Sequence, residues 1–167
     1  YLMNYYTFFE KEIIKRTMLA LLPKSPVTAF ANHIMDYTFY WIISLRDYIL
    51  YMKDPQFAAK IFDRVTEVID FCFTRMGKDG LLYAKKDDWI FIDWASMNKE
   101  GAICAEQILF LTALKAYAQI ADFTGNEIDK KIIKKIKKLK RKILKIFWDK
   151  KRKAFRHSSL DNDKSPV

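Results

Sequence analysis

The chain has 167 residues, 51% of them hydrophobic, which is enough to build one domain around a buried core. Four glycines and four prolines are too few for a disordered chain or a many-turned β-sandwich. The two most apolar windows, 34–52 and 102–121, both contain charged residues, so we predict no membrane span and no membrane partner.

The net charge of +10 suggests an anionic partner, but its distribution argues against nucleic acid. Residues 128–153 hold 14 of the 30 basic residues and two acidic ones, so the rest of the chain is close to neutral. Lysine covers a solvated helix face well, and no arginine–aromatic pattern or known nucleic-acid motif accompanies it. We therefore predict a solvated outer helix here and no nucleic-acid partner.

Cysteine and histidine are scarce and scattered. Cys72 and Cys104 lie in apolar helical runs, so we interpret them as buried free thiols. His33 and His157 are isolated, and no metal-ligand spacing is present, so neither a metal nor a cofactor is expected.

The chain starts at Tyr1 without an initiator Met or a signal-peptide pattern. We interpret residues 1–167 as a single partial domain, truncated at both ends. The few cysteines are compatible with a cytoplasmic and with a periplasmic protein, so the compartment stays open.

Hydrophobic periodicity predicts helices at about 4–22, 34–52, 55–76, 100–123 and 126–147. The second and fourth are apolar on most of their circumference, which predicts burial on more than one side. The other three have one apolar and one charged face, as helices at a surface do.

Residues typical of turns and caps mark the expected helix ends. Asp54 and Pro55 suit the N-cap and first position of the third helix, while Gly77 and Gly125 are expected to end helices and Asn126 to start the last one. Residues 81–83 and 89–92 are expected to pair as a short β-hairpin-like loop near 81–94, and 154–157 to be extended.

Buried and amphipathic helices alternate along the chain, and so do short and long connections. Links from a buried to an amphipathic helix are tight, whereas the links in the other direction are long. A two-layer ring of helical hairpins explains both alternations, and it gathers the long loops at one rim, where sites are usually built. A helical solenoid explains them less well, because no short repeat is visible.

Residues 88–94 read DWIFIDW, with two tryptophans and two aspartates in seven positions. Exposing that much aromatic surface forfeits burial free energy of about 25 cal/mol per Å². The stretch is therefore expected either to pack on the body of the protein or to bind a flat apolar ligand, such as the face of a sugar ring.

The segment WIFIDWA at 89–95, followed by EGA at 100–102 and AEQILFLTALKAYAQIADFTG at 105–125, resembles the catalytic domain of bacterial α-L-rhamnosidases. The flanking segments agree with it, namely DYTFYWIISLRDYILYMKDPQFA at 36–58, DGLLYAKKDDW at 79–89 and FWDKKRKAF at 147–155. The F-I-D-W core carries most of the specificity of the likeness.

The resemblance implies an all-α fold, in which inner and outer helical hairpins form part of a twelve-helix (α/α)₆ toroid. It implies a glycoside hydrolase that cleaves terminal α-L-rhamnosyl linkages with inversion, for which two carboxyl groups are needed. The family's motifs for the acid and the base have no counterpart here, so both are expected elsewhere in a longer polypeptide and the isolated chain is expected to be inactive.

By position, the resemblance places Asp93 and Trp94 in the sugar pocket, with Trp89 just before them. Asp36 and Tyr37 open the preceding inner helix at the same rim and are candidates for the same pocket. The implied partners are a rhamnose-containing oligosaccharide or glycoside and the remainder of the parent polypeptide.

Each of these residues also has a structural interpretation. Asp93 could cap its loop, Trp94 could anchor the hairpin, Trp89 could serve packing, and Asp36 could be a first-turn carboxylate favoured by the helix dipole. The alternative function is a non-catalytic helical domain whose aromatic loop binds a protein.

Overall fold

The computed structural model describes residues 7, 10–21, 24–92 and 99–160. Within these residues lie a 3₁₀ turn, Ala31–His33, and two short antiparallel strands, β1 (Trp148–Asp149) and β2 (Ala154–Phe155). The α-helices of these residues are α1 (Lys11–Leu21), α2 (Met35–Met52), α3 (Pro55–Lys60), α4 (Phe62–Thr74), α5 (Cys104–Thr124) and α6 (Lys130–Phe147). No helix in the described ranges is long and apolar enough to cross a bilayer.

Helices α2 and α5 are the inner pair and run in the same direction. The rings of Phe39 and Phe110 lie 5.3 Å apart, and Arg46 donates to Gln119 at 3.4 Å. The sequence offset between the partners is nearly constant along the pair, which is possible only for parallel helices. Both helices are apolar on most sides, as predicted for inner helices.

The remaining helices cover this pair from outside. The indole N–H of Trp41 in α2 donates to the Met18 carbonyl of α1 at 2.9 Å. Phe62 of α4 stacks on Tyr117 of α5 at 5.4 Å. Helix α6 buries one apolar face against α5 and turns its lysines to solvent, as predicted.

At one end of the bundle the inner helices finish in tight turns. Helix α2 ends at Lys53, which adopts the left-handed conformation, and Asp54 caps α3 by accepting the Phe57 N–H at 3.3 Å. Gly125 ends α5 at a φ of 70°, and Asp129 caps α6 by accepting the Lys131 N–H at 2.7 Å. We call this end the turn end.

The other end, which we call the rim, holds the long connections. Trp89 bridges to the start of α2, where its N–H donates to the His33 carbonyl at 2.8 Å. The segment after β2 returns to the start of α5, where the Cys104 N–H donates to the His157 carbonyl at 2.8 Å. The long loops thus meet where the inner helices begin.

Several predicted boundaries differ from the observed ones. The helix predicted at 55–76 is broken at Ile61, where Ile61 and Phe62 are both buried, and it ends at Thr74 rather than at Met76. The last helix starts at Lys130 rather than at Asn126, because Asp129 supplies the cap. The parts of the first predicted helix at 4–6, 8, 9 and 22 lie outside the described residues.

The loop over 81–92 forms isolated bridges at Leu82 and Trp89, but its partners are helix ends rather than its own two arms. Leu82 pairs with Met76 after α4, and Trp89 pairs with Ile34 before α2. The helix ends leave backbone groups unpaired, and the loop satisfies them. The two-stranded sheet instead joins β1 to β2, where an extended segment was predicted near 154–157.

Candidate functional site

A cavity of about 660 Å³ opens at the rim between the first turns of α2 and α5. Its volume is in the range of sites that bind small molecules. The lining residues are Asp36, Tyr37, Tyr40, Phe91, Ile92, Ala105, Glu106, Ile108, Leu109 and Thr112. The structure therefore brings two of the predicted site residues, Asp36 and Tyr37, into one cavity.

Asp36 is buried at the base of this cavity and fixes the loop that enters it. It is 3% exposed, and its Oδ2 accepts the Phe91 N–H at 2.8 Å. Phe91 is thereby held in the cavity wall, to which Tyr37 and Tyr40 of α2 also contribute. The two tyrosines are 44% and 56% exposed, so their rings are available to a ligand.

Gln107 in the first turn of α5 holds the start of the same loop. Its side chain is completely buried, accepts the Leu82 N–H at 2.8 Å and donates to the Leu82 carbonyl at 2.8 Å. A carboxamide carries a donor and an acceptor side by side, so this one side chain satisfies both backbone groups of Leu82. The loop is therefore pinned to α5 at Leu82 and to α2 at Phe91.

A buried ion pair holds the middle of the loop. Arg75 pairs with Asp88, whose carboxylate also accepts the Lys85 N–H at 2.6 Å. The Arg75 guanidinium lies over the rings of Phe30 and Phe71, at 5.4 and 5.8 Å from their centroids. These contacts place the residues before Trp89 without bringing any charge into the rim cavity.

Trp89 lies beside the rim cavity rather than in it. Its side chain is 57% exposed, contacts Phe91 edge to face at 5.6 Å and lines a neighbouring depression with Asp88 and Lys99. Asp93 and Trp94, the other two predicted site residues, lie outside the described residues.

The chain enters and leaves the segment 93–98 at the same place. Ile92, the last described residue before it, has a φ of 35°, a strained value for a β-branched residue. Lys99, the first described residue after it, donates its Nζ to the carbonyls of Ile90 and Phe91 at 2.9 and 3.3 Å. Ile92 thus lines the cavity, and the Lys99 side chain reaches the two residues just before Ile92.

Glu106 is the principal site residue that sequence reasoning missed. It is 1% exposed, and burial, followed by interaction with the Asp36 carboxylate, raises the pKa of Glu106 to about 10, although the Lys99 charge opposes the shift. A signal was present in the sequence, because a glutamate interrupts an otherwise apolar run in a helix predicted to be buried.

Two further groups with shifted pKa values are the thiols of Cys72 and Cys104. Burial raises the pKa of the Cys72 thiol above its usual range and that of Cys104 to about 11, so both are inert buried thiols, as interpreted from the sequence. Within the described ranges, no group of three or more His, Cys, Asp and Glu residues is placed to hold a metal ion.

Comparison with known proteins gives a likeness of fold. No protein-family model and no curated protein matches the sequence. The structure is similar to a GH78 family rhamnosidase of Bacillus sp. GL1, with a TM-score of 0.79 and 24% identity over 93% of this chain. It is also similar to a rhamnosidase from Klebsiella oxytoca with rhamnose bound, with a TM-score of 0.73 and 21% identity over 89% of this chain.

The chain covers only part of each of those two proteins, namely 18% of the length of the first and 31% of the length of the second. Identities below 25% establish the fold and leave the activity to separate evidence. The predicted all-α architecture is confirmed: this chain has the fold of one sector of a GH78 rhamnosidase, with alternating inner and outer helices as in part of an (α/α)₆ toroid.

Proposed function

We propose that the chain is the sugar-binding sector of a glycoside hydrolase that acts on terminal α-L-rhamnosyl linkages. The observation that carries this proposal is the rim cavity, where a buried carboxylate and aromatic walls meet at the start of two inner helices. The likeness of the surrounding fold to two rhamnosidases supports the choice of sugar.

The lining of the cavity suits a pyranose. Exposed faces of Tyr37 and Tyr40 can stack on the C–H face of a deoxysugar, for which aromatic rings supply apolar area at a fixed geometry. Asp36 uses Oδ2 for the Phe91 N–H, which leaves Oδ1 as an acceptor for a ring hydroxyl.

Asp93, Trp94 and Trp89 are proposed to extend this site. Asp93 directly follows Ile92 of the cavity wall, and Lys99 bonds back to Ile90 and Phe91. Trp89 offers an exposed ring on the outer side of the same loop. In this proposal the loop provides further stacking and hydrogen-bonding groups for a glycoside longer than one sugar.

The chemistry of hydrolysis is proposed to need the rest of a longer polypeptide. Inversion at the anomeric carbon requires an acid to protonate the leaving oxygen and a base to activate water, about 6.5–9.5 Å apart. We assign neither role to a carboxyl of this chain. The sector orients the sugar, and the isolated chain is expected not to hydrolyse aryl α-L-rhamnosides.

Sugar binding is tested by titrating the ¹⁵N-labelled chain with methyl α-L-rhamnopyranoside and, as a control, with methyl α-D-glucopyranoside. We expect saturable shifts at the Phe91 amide and the Trp89 indole with the rhamnoside only, and millimolar affinity because only part of the pocket is present. No shift at tens of millimolar rhamnoside contradicts the proposal.

A second function, protein binding through the rim, has one observation in its favour. Tyr40, Ile108 and Trp89 expose large apolar side chains, at 56%, 40% and 57%, around the cavity. The same titration separates the two functions, because a site for a protein gives no saturable response to a monosaccharide glycoside.

A further inference from the structure

The Glu106 carboxyl is a buried polar group that the fold does not use. Both oxygens are inaccessible, and neither makes a hydrogen bond of normal geometry with any described residue. The side chain nevertheless lines the rim cavity, with the Asp36 carboxyl of α2 adjoining it. Buried polar groups without a hydrogen-bond partner are commonly found at functional sites.

Its surroundings favour the neutral form. An ionised carboxylate with no partner costs several kcal/mol to bury, whereas a protonated carboxyl does not carry this penalty. The charged groups that influence Glu106 are Asp36, which opposes its ionisation, and Lys99, which favours it. Lys99 directs its Nζ to the carbonyls of Ile90 and Phe91 instead.

Asp36 differs from Glu106 because it has a fixed donor. The Phe91 N–H lies 2.8 Å from its Oδ2, so one oxygen of Asp36 already accepts a backbone hydrogen bond. The two carboxyls thus have unequal surroundings, because Asp36 has a fixed backbone donor and neither oxygen of Glu106 has one.

We propose that Glu106 is a positioning residue, whose protonated carboxyl orients Asp36 as the single anionic acceptor of the rim cavity. This inference rests on the proposed sugar-binding function and deepens it. The resulting site selects a neutral, hydroxyl-rich ligand. An anionic sugar such as a uronate would meet the Asp36 charge in a cavity whose lining offers no cation among the described residues.

The first test measures the proton itself, without any ligand. Infrared difference spectra of the wild-type chain against Glu106→Gln at pH 7 are expected to show a protonated-carboxyl band that the variant lacks. The carboxyl ¹³C shift of Glu106 is followed from pH 4 to 9. We expect no titration near the usual pKa of a glutamate side chain. A group that ionises below pH 6 overturns the inference.

The second test measures binding of methyl α-L-rhamnopyranoside and of methyl α-D-galactopyranosiduronate to the wild type and its variants. Glu106→Gln keeps a donor beside Asp36 and is expected to bind the rhamnoside within about threefold of the wild type, whereas Glu106→Met removes the donor and should weaken binding about tenfold. The uronide is expected to bind at least about tenfold more weakly than the rhamnoside to the wild type.

A double variant, Asp36→Asn combined with Glu106→Met, tests whether Glu106 acts through Asp36. If it does, the double variant loses no more binding than Asp36→Asn alone, since the two effects are not additive. Additive losses overturn the positioning role. The melting temperature of Glu106→Met is expected to equal or exceed that of the wild type, because a buried polar group is removed; a structural role predicts a decrease.

The outcomes separate this inference from the function on which it rests. If the wild-type chain binds neither glycoside, the proposed function fails and the ligand class fails with it. If the wild type binds the rhamnoside but Glu106→Met binds equally well, only the role of Glu106 is overturned.

Discussion

The two ends of the helical bundle contain carboxyls that behave in opposite ways. At the turn end, partial burial opposes the ionisation of Asp54, but hydrogen bonds from Tyr48, Lys15 and Phe57 lower its pKa below the usual value. At the rim, burial and the Asp36 carboxylate raise the pKa of Glu106 to about 10. One carboxyl is built into the fold as an anion, and the other is kept without its charge beside a cavity.

The contrast between the ends indicates where stability and function are located. The turn-end carboxyl caps a helix and pairs with Lys15 at 3.1 Å, so its contacts all stabilise the folded chain. The rim carboxyl contributes no hydrogen bond of normal geometry and imposes a burial cost. A fold retains such a cost most readily where a ligand or a reaction uses the group.

The largest expected effect comes from unpinning the rim loop. Gln107→Leu keeps an apolar side chain of similar size at the start of α5 but leaves the buried N–H and carbonyl of Leu82 without their partners. Two unsatisfied buried groups should cost about 2–5 kcal/mol of unfolding free energy. Urea unfolding measures the loss, and hydrogen exchange at the Leu82 amide should accelerate.

Gln119→Leu is the matched control, because Gln119 lies exposed on the same helix and accepts a long bond of 3.4 Å from Arg46. It should change the unfolding free energy by less than about 0.5 kcal/mol. Equal losses in the two variants would show that the Leu82 contacts do not hold the loop.

The second prediction concerns pH. The folded pKa of Glu106 is raised to about 10 from a usual 4.5, so the folded chain binds one more proton than the unfolded chain between these values. Its contribution to stability is therefore fully present below pH 4.5 and declines as pH rises toward 10, by up to about 1.4 kcal/mol per pH unit. Denaturant unfolding of the wild type and Glu106→Gln at pH 5, 7 and 8.5 measures this, and the variant should lack the decline.

The turn end could be predicted from the sequence more fully than the rim, because its interactions join residues that lie close together in the chain. Turn-end signals are local: Asp54 and Pro55 start α3, and Gly125 ends α5, each within a few residues of its partner group. Period and composition were also sufficient to distinguish inner from outer helices, since both depend on the helix's own residues. The start of the last helix was predicted wrongly at Asn126, because two nearby residues can serve as an N-cap and Asp129 is the one that does.

The rim could be predicted only in part. That the long loops meet there followed from the alternation of connections, and Asp36 and Tyr37 followed from their place at the start of an inner helix. The bonds that build the site join residues far apart in sequence, as Asp36 joins Phe91 and Gln107 joins Leu82. No local pattern encodes such pairs, so the role of Gln107 became visible only in three dimensions. The burial of Glu106 was indicated by the apolar run around it, but its position beside Asp36 was not.

The third prediction compares two glycines with nearly equal φ angles, one at each end. Gly101 at the rim has a φ of 73°, and Gly125 at the turn end has a φ of 70°. A Cβ at Gly101 would lie 2.8 Å from both Leu160 and Ser159, whereas a Cβ at Gly125 meets nothing within 4 Å.

Gly125→Ala should therefore cost only the conformational strain of about 1 kcal/mol, while Gly101→Ala should cost about 2–3 kcal/mol. The difference arises because Ser159, which accepts the Ala102 N–H at 3.0 Å, must move. Thermal unfolding of both variants checks the order, and a larger loss for Gly125→Ala would contradict it.

The smallest expected effect is the loss of a turn-end cap. Asp54→Ala removes the acceptor of the Phe57 N–H and the partner of Lys15, and should cost about 1–2 kcal/mol at pH 7. Because its folded pKa is lowered, the contribution of Asp54 is present above the unfolded value of 3.8 and is lost as pH falls through the folded value. The wild type and the variant should therefore converge in stability as pH falls below 3.8, the opposite direction to the Glu106 effect.

A second cap at the same end provides the control for Asp54. Asp129→Ala removes a 57% exposed carboxylate that accepts the Lys131 N–H, and should cost less than about 1 kcal/mol because solvent replaces the lost bond. Denaturant unfolding of both variants at pH 3, 5 and 7 compares the two caps with the wild type. If Asp54→Ala and the wild type instead converge at high pH, the contrast between the turn end and the rim is wrong, because the two carboxyls would then titrate in the same direction.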